Sequence, residues 1–267
     1  MSPAPSMPSD SRRSTRTAVG LLLVALLVTS VAAAGVALAA STAAAQTDGD
    51  GNATVRAVHA SPGAPAIDVA IDGETVLEGV SYGTVSEYLN VSQGNHSVTV
   101  TLSDVGVVVY EDEIDVESGR TYTVAAAGEV TDDLAASVDP TVLVDDASEP
   151  ADDEAAVRLV HLSPDAPAVD VTVQGTGDVV GENVTYGGAS AYTTVPAGDY
   201  TLEVRRATAS NDGEVLATFD VTVEGGTAYT GFAVGYVDEG NATADAPFDL
   251  LVATDRTADS GTGTSDD

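Results

Sequence analysis

His59 and His161 are two of the three histidines in a chain of 267 residues, and they sit in matching surroundings. Each is followed two residues later by a serine, Ser61 or Ser163, and nine residues later by an aspartate, Asp68 or Asp170. Imidazole, hydroxyl and carboxylate are the groups of a nucleophilic triad, in which the imidazole takes the serine proton and the carboxylate orients the imidazole. The local sequence argues against that use, because each serine precedes a proline in a short loop after a strand, and two identical triads in tandem would be unusual. A structural role is expected instead for His59, Pro62, Pro65 and Asp68 and for His161, Pro164, Pro167 and Asp170, with the imidazole tying a strand end to the proline loop. No residue is assigned to catalysis. One histidine per loop, with no cysteine anywhere, falls short of the three or four protein ligands of a zinc site. Asp132-Asp133, Asp145-Asp146 and Asp152-Asp153-Glu154 offer the hard oxygens that calcium prefers. The D-x-[DN]-x-[DN]-G loop is absent, however, and surface solvation accounts for these pairs. Neither a metal nor a cofactor is expected.

These residues recur because the chain repeats itself. Val55-Arg56-Ala57-Val58-His59-Ala60-Ser61-Pro62 matches Val157-Arg158-Leu159-Val160-His161-Leu162-Ser163-Pro164, 102 residues later. Tyr82-Gly83 and Tyr88 match Tyr186-Gly187 and Tyr192 at a spacing of 104. Gly119 and Tyr122 match Gly226 and Tyr229 at 107. The last change of spacing falls near Asn211-Asp212-Gly213, a hairpin-turn sequence, as expected when strands stay in step and loops vary.

The elements that position these residues read as strands. His96 to Leu102, Tyr200 to Val204 and Phe219 to Val223 alternate apolar and polar residues with period two. Ile67, Val69 and Ile71 share one face of another such run. Seven or eight short strands per repeat, broken by glycine, proline and Asp-Gly turns, predict an all-β fold. We expect two tandem Ig-like, Greek-key β-sandwich domains after an N-terminal signal or anchor helix. The expected divisions are 1–45 for the export segment, 53–146 and 155–255 for the domains, 147–154 for an acidic linker and 256–267 for a disordered tail. The recurring tyrosines are expected in the sandwich core or in a tyrosine corner; the alternative is a sugar- or peptide-binding face carrying an exposed Tyr88 and Tyr192. Arg56 and Arg158, at matching strand positions, are expected to form a buried or half-buried bridge to a carboxylate.

Composition sets the surroundings. The chain carries 9 basic and 42 acidic side chains for a formal charge of −33, and every basic residue is arginine. At low ionic strength such like charge opposes compaction, whereas at about 1 M salt the Debye length shrinks to roughly 3 Å. The composition resembles that of haloarchaeal proteins. It disfavours nucleic acid and anionic lipid as partners, since phosphate binding needs basic clusters. Arg12, Arg13 and Arg16 precede an apolar run from Ala18 to Ala40, followed by Ala43-Ala44-Ala45, in the pattern of a signal peptide. That run is also long enough to be retained as a membrane tether. Either reading places the remainder at the cell surface or outside the cell. Asn52, Asn90, Asn95, Asn183 and Asn241 lie in N-x-[ST] sequons and are candidate glycosylation sites.

The pattern H-x-S-P-x-A-P-x-x-D-V, the Tyr-Gly element and the Gly-x-x-Tyr-Thr strand together resemble the DUF4397 family, twice over. The resemblance covers nearly all of the chain after the export segment and implies a β-rich extracellular module. It supplies no catalytic residues, and the second copy departs from the first with Asp165 in place of Gly63. The sequence therefore points to a non-enzymatic, exported surface or envelope protein with a structural or adhesive role, whose partner would be an envelope glycan or protein. The alternatives are an extracellular solute- or polysaccharide-binding accessory module and, third, an extracellular hydrolase, which would need His59, Ser61 and Asp68 within hydrogen-bond reach.

Overall fold

Period-two burial organises each repeat into two sheets. A computed structural model describes residues 51–128, 139–238, 240, 242 and 244–257. The first repeat contributes β1 (Asn52–His59), β2 (Ile67–Ile71), β3 (Glu74–Val80), β4 (Leu89–Ser92), β5 (Gly94–Leu102), β6 (Val107–Val116), β7 (Thr121–Ala127) and β8 (Asp139–Val144). The second contributes β9 (Glu154–His161), β10 (Val169–Val173), β11 (Val179–Val184), β12 (Thr193–Pro196), β13 (Gly198–Arg206), β14 (Val215–Val223), β15 (Thr227–Val234) and β16 (Asp249–Thr257). The sheet orders are β3-β2-β5-β6 and β4-β1-β7-β8 in the first repeat, and β11-β10-β13-β14 and β12-β9-β15-β16 in the second. The repeats therefore share one topology, and an all-β, tandem architecture is observed. β1 pairs antiparallel with β4 but parallel with β7, and β9 does the same with β12 and β15. A parallel pair needs a long crossover, here the rest of the sandwich.

The two sheets of a repeat differ in what covers them. In β5, His96, Val98, Val100 and Leu102 are buried while Ser97, Thr99 and Thr101 are less so, as expected when one face meets solvent. The sheets holding β1, β7, β9 and β15 are buried on both faces. Ala126 packs inward with Ile67, Val69 and Leu102 of its own repeat. On the opposite face, Val58, Ala60, Ala125 and Ala127 pack directly on Val160, Leu162, Phe232 and Val234 of the second repeat. The result is four layers of strands, in which each repeat has its own core and a further core lies between them. The described residues form a single compact unit.

Among the described residues no helix is long and apolar enough to cross a membrane. This corrects the expectation of a transmembrane helix, and with it the membrane tether as a partner and the membrane-anchored location; the described chain satisfies its backbone polar groups through strand ladders. The segment 1–45, on which that expectation rested, lies outside the described residues, as do Asn241 and 258–267. β16 runs through Arg256 and Thr257, at the start of the segment expected as a tail. Between β8 and β9 the chain carries no strand, yet Ala147 is buried against Ala156 and Ala228.

Candidate functional site

The histidine loops close the sandwiches. His59 Nε2 lies 3.1 Å from the Pro65 carbonyl oxygen, and the Ser61 amide donates to Nδ1 at 3.4 Å. His161 repeats this with Pro167 at 2.9 Å and Ser163 at 3.3 Å. A carbonyl can only accept and an amide can only donate, so the ring is neutral and protonated at Nε2, and its one lone pair, on Nδ1, faces the serine amide rather than the serine hydroxyl. Ser61 Oγ donates to the Ala126 carbonyl at 3.2 Å instead of facing the imidazole. Asp68 accepts from the Gly79 amide and from Ser103 Oγ, both at 2.7 Å. Asp170 accepts from the amides of Asn183 at 2.8 Å and Thr208 at 2.9 Å. Each aspartate thus holds a left-handed residue, Gly79 at φ 63° or Asn183 at φ 47°, against the neighbouring strand. The three groups of the imagined triad have separate partners, and no relay exists among them. The sequence reading also passed over Gly79-Val80-Ser81-Tyr82-Gly83, which has G-x-S-x-G spacing. It leaves β3 for a turn and no helix follows, so it builds no nucleophile elbow.

Burial lowers the pKa of His59 and His161 below the ordinary value of 6.5, against the smaller opposing effect of the proline carbonyls. The sign follows from linkage: an unfolded chain takes up protons that these rings refuse. Their contribution to stability is complete above pH 6.5 and is lost as the pH falls below it toward the folded-state values. His96 has the opposite sign, because its bond to Asp72 at 2.7 Å raises its pKa, so its contribution is complete below 6.5 and is lost as pH rises through its folded value. The denaturation midpoint of a His96→Gln variant is therefore expected to drop steadily from pH 7 to pH 5, measured in urea. A flat profile would show that the two loop histidines are not buried neutral.

The most elaborate side-chain arrangement lies between the repeats. Arg56 is 2% exposed and donates through its terminal nitrogens to Asp255 and to the Thr254 carbonyl of the second repeat. Arg158 reaches the other way, to Asp145 and the Val144 carbonyl of the first. Arg56 Nε donates to Thr123 Oγ1 at 2.7 Å, which donates to Asp145 at 2.6 Å. Arg158 Nε donates to Thr230 Oγ1 at 2.7 Å, which donates to Asp255 at 2.6 Å. Arg56, Asp255, Thr230, Arg158, Asp145 and Thr123 thereby form a closed ring that crosses the interface twice. Tyr88 and Tyr192 cap it, with hydroxyls donating to Asp145 at 2.8 Å and Asp255 at 2.7 Å and rings 4.8 Å and 4.7 Å from the guanidinium carbons. Two arginines balance two aspartates, so a strongly acidic chain carries a neutral, fully bonded polar centre. Burial opposes the charge on Arg56, but Asp255, Tyr88 and Asp145 outweigh it and raise its pKa. Burial raises the Asp255 carboxyl, against the downward pull of Arg56, and burial likewise raises both tyrosines. Tyr88 and Tyr192 are half-buried with committed hydroxyls, which leaves them poor platforms for stacking a sugar.

A family described as "Domain of unknown function (DUF4397)" matches residues 53–172 and 170–266. The chain belongs to the DUF4397 family. The ring residues are placed equivalently in its two DUF4397 repeats. No curated protein is similar in sequence. Among solved structures, a family 26 carbohydrate-binding module from Eubacterium rectale Amy13K, in complex with maltoheptaose, is 11% identical with a TM-score of 0.25, covering 78% of this chain and 98% of that one. The Bacillus anthracis TIE protein is 14% identical with a TM-score of 0.23, covering 70% and 34%. Family 41 carbohydrate-binding modules from streptococcal virulence factors, described for α-glucan recognition, are 10% identical at 0.22, covering 67% and 92%. Likenesses this low carry no argument about this DUF4397 pair.

Beside the ring lies a polar cavity of about 360 Å³, bounded by Arg120, Thr121, Asp145, Asp146, Asp255 and Arg256. The apolar gaps inside the two sandwiches are much smaller, about 50 and 40 Å³. Among the described residues no group of three or more histidine, cysteine or acidic side chains is placed to hold a metal ion. Asp145 is committed to the ring, and Asp132-Asp133 lie outside the described residues. Asn52, Asn90, Asn95 and Asn183 are all exposed.

Proposed function

We propose that the chain is an accessory module that binds a solute or a polysaccharide segment at the junction of its two repeats. The junction cavity carries this reading: its volume, about 360 Å³, falls within the roughly 300–1,000 Å³ range of small-ligand sites. Its lining offers guanidinium, hydroxyl and carboxylate groups, the complement of a hydroxyl-rich ligand. The rigid ring behind it would hold that lining in place before a ligand arrives, which lowers the ordering cost of binding. Exposed sequon asparagines are read as glycosylation sites, and each sandwich as an Ig-like Greek key, extended by the parallel β7 or β15 strand. The test is calorimetric titration of the full chain, in molar sodium chloride, with a panel of neutral and acidic oligosaccharides. Saturable binding of any member supports the proposal; heat of dilution alone across the whole panel overturns it.

A structural or adhesive role is the second reading. The observation that favours it is the reciprocal ring, which joins two repeats into one stiff body without leaving either free to swivel.

A further inference from the structure

The junction cavity differs in charge from the rest of the molecule. The chain as a whole has 42 acidic residues against 9 arginines, and three of those arginines, Arg12, Arg13 and Arg16, lie outside the described residues. Of the remaining six, Arg56 and Arg158 are sealed in the ring. Two more, Arg120 and Arg256, line this one cavity. Arg120 is 52% exposed by side chain and pairs with Glu117, itself 62% exposed, an open contact that a ligand can displace at little cost. Arg256 forms no ion pair with a described residue. The cavity carboxylates are not equally available. Asp145 and Asp255 are neutralised by Arg158 and Arg56 and have their oxygens occupied by ring and tyrosine donors. Asp146 alone is exposed and open to accept hydroxyl protons.

We propose that the cavity recognises a carboxylate-bearing saccharide, a uronate unit, with Arg120 and Arg256 taking the ligand carboxylate and Asp146 accepting its ring hydroxyls. This deepens the function proposed above and rests on it. A monoanion fits better than a phosphate dianion because the exposed Asp146 lines the same space and its like charge opposes a second negative charge. A neutral sugar would offer neither guanidinium an anionic partner within the cavity. In molar salt the long-range field is screened, so selectivity comes from direct, charge-assisted hydrogen bonds rather than steering.

The experiment titrates the full chain in molar sodium chloride with trigalacturonate and with maltotriose, and repeats the titrations on R120Q, R256Q and R206Q. Arg206 is 52% exposed and lies on β13, outside the cavity lining, so R206Q is the charge-matched control. Thermal unfolding and near-ultraviolet circular dichroism confirm that each variant folds, and R120Q, altering an exposed side chain, keeps the test alive if R256Q does not. The expected result is saturable trigalacturonate binding that falls about tenfold or more in R120Q and in R256Q, is unchanged in R206Q, and exceeds maltotriose binding. Trigalacturonate binding that is equal in all variants, or maltotriose binding without trigalacturonate binding, overturns this inference while the accessory-module reading stands. No binding of either sugar overturns the uronate site, and with the wider panel silent the module reading falls with it.

Discussion

An Arg158→Met variant should lose roughly 3–5 kcal/mol of unfolding free energy, the cost of leaving a buried carboxylate without its partner. Asp145, whose side chain is 0% exposed, would keep Tyr88 and Thr123 as donors but lose its hydrogen-bonded cation, leaving only the Arg56 guanidinium at 3.8 Å, which Asp255 already holds, and Thr230 would lose the donor at its oxygen. Urea denaturation measures this directly. The loss should be nearly the same in molar salt as in dilute salt, because solvent ions do not reach the ring. Removing both partners, with Arg158→Met and Asp145→Leu together, should cost less than the sum of the single changes, since no charge is then stranded. A single-variant loss below about 1 kcal/mol would mean that the ring is solvated and that the repeats are not locked through it.

The second large effect concerns Phe232, which is fully buried between the repeats with its ring 5.5 Å from the Arg56 guanidinium carbon. Its counterpart 107 residues earlier is Ala125, also 0% exposed and in the same cluster. Bulk from one repeat is matched by a small residue from the other in the shared cluster. Phe232→Ala should cost about 3–5 kcal/mol through lost burial and the cavity left behind. Adding Ala125→Phe returns the same volume from the opposite repeat, and should recover at least half of that loss. Thermal or urea unfolding of the two variants decides the matter. If the added phenylalanine deepens the loss, the interface is not symmetric enough to be filled from either side.

Much of this was legible in the sequence, and the boundary of what was legible is instructive. The runs with clean alternation, His96 to Leu102, Tyr200 to Val204 and Phe219 to Val223, all belong to the outer sheets, where one face meets water. The inner strands, such as Tyr122 to Ala127 and Ala228 to Val234, lack alternation because both faces are covered. That missing period was the available signal for a packed partner on the far side. Tyr122 and Tyr229 do form corners, each accepting a backbone amide five residues upstream, at 3.1 and 3.2 Å. Arg56 and Arg158 do bind carboxylates, as their matching strand positions suggested. Their partners were hidden for a physical reason. Asp255 is 199 residues from Arg56, and Asp145 sits at the edge of the acidic connector, where one buried carboxylate looks like any solvated one. The exchange of Gly63 for Asp165 has a local cause: at φ 75° a side chain is strained, and a Cβ there would stand 2.8 Å from Ala244 Cβ. Asp165, freed of that contact, accepts the amides of Val237 and Asp238 at 2.9 and 2.8 Å.

Because each repeat presents both an arginine and an aspartate to its neighbour, the mating surface is complementary to itself. Such an isologous contact closes on pairing, unlike the head-to-tail stacking that lets solenoids grow without limit. Once the two copies have met, neither retains a vacant mating face for a third. Lengthening the polypeptide by a single copy would strand one apolar sheet in water, whereas adding copies two at a time would not. The arithmetic of this architecture is therefore even.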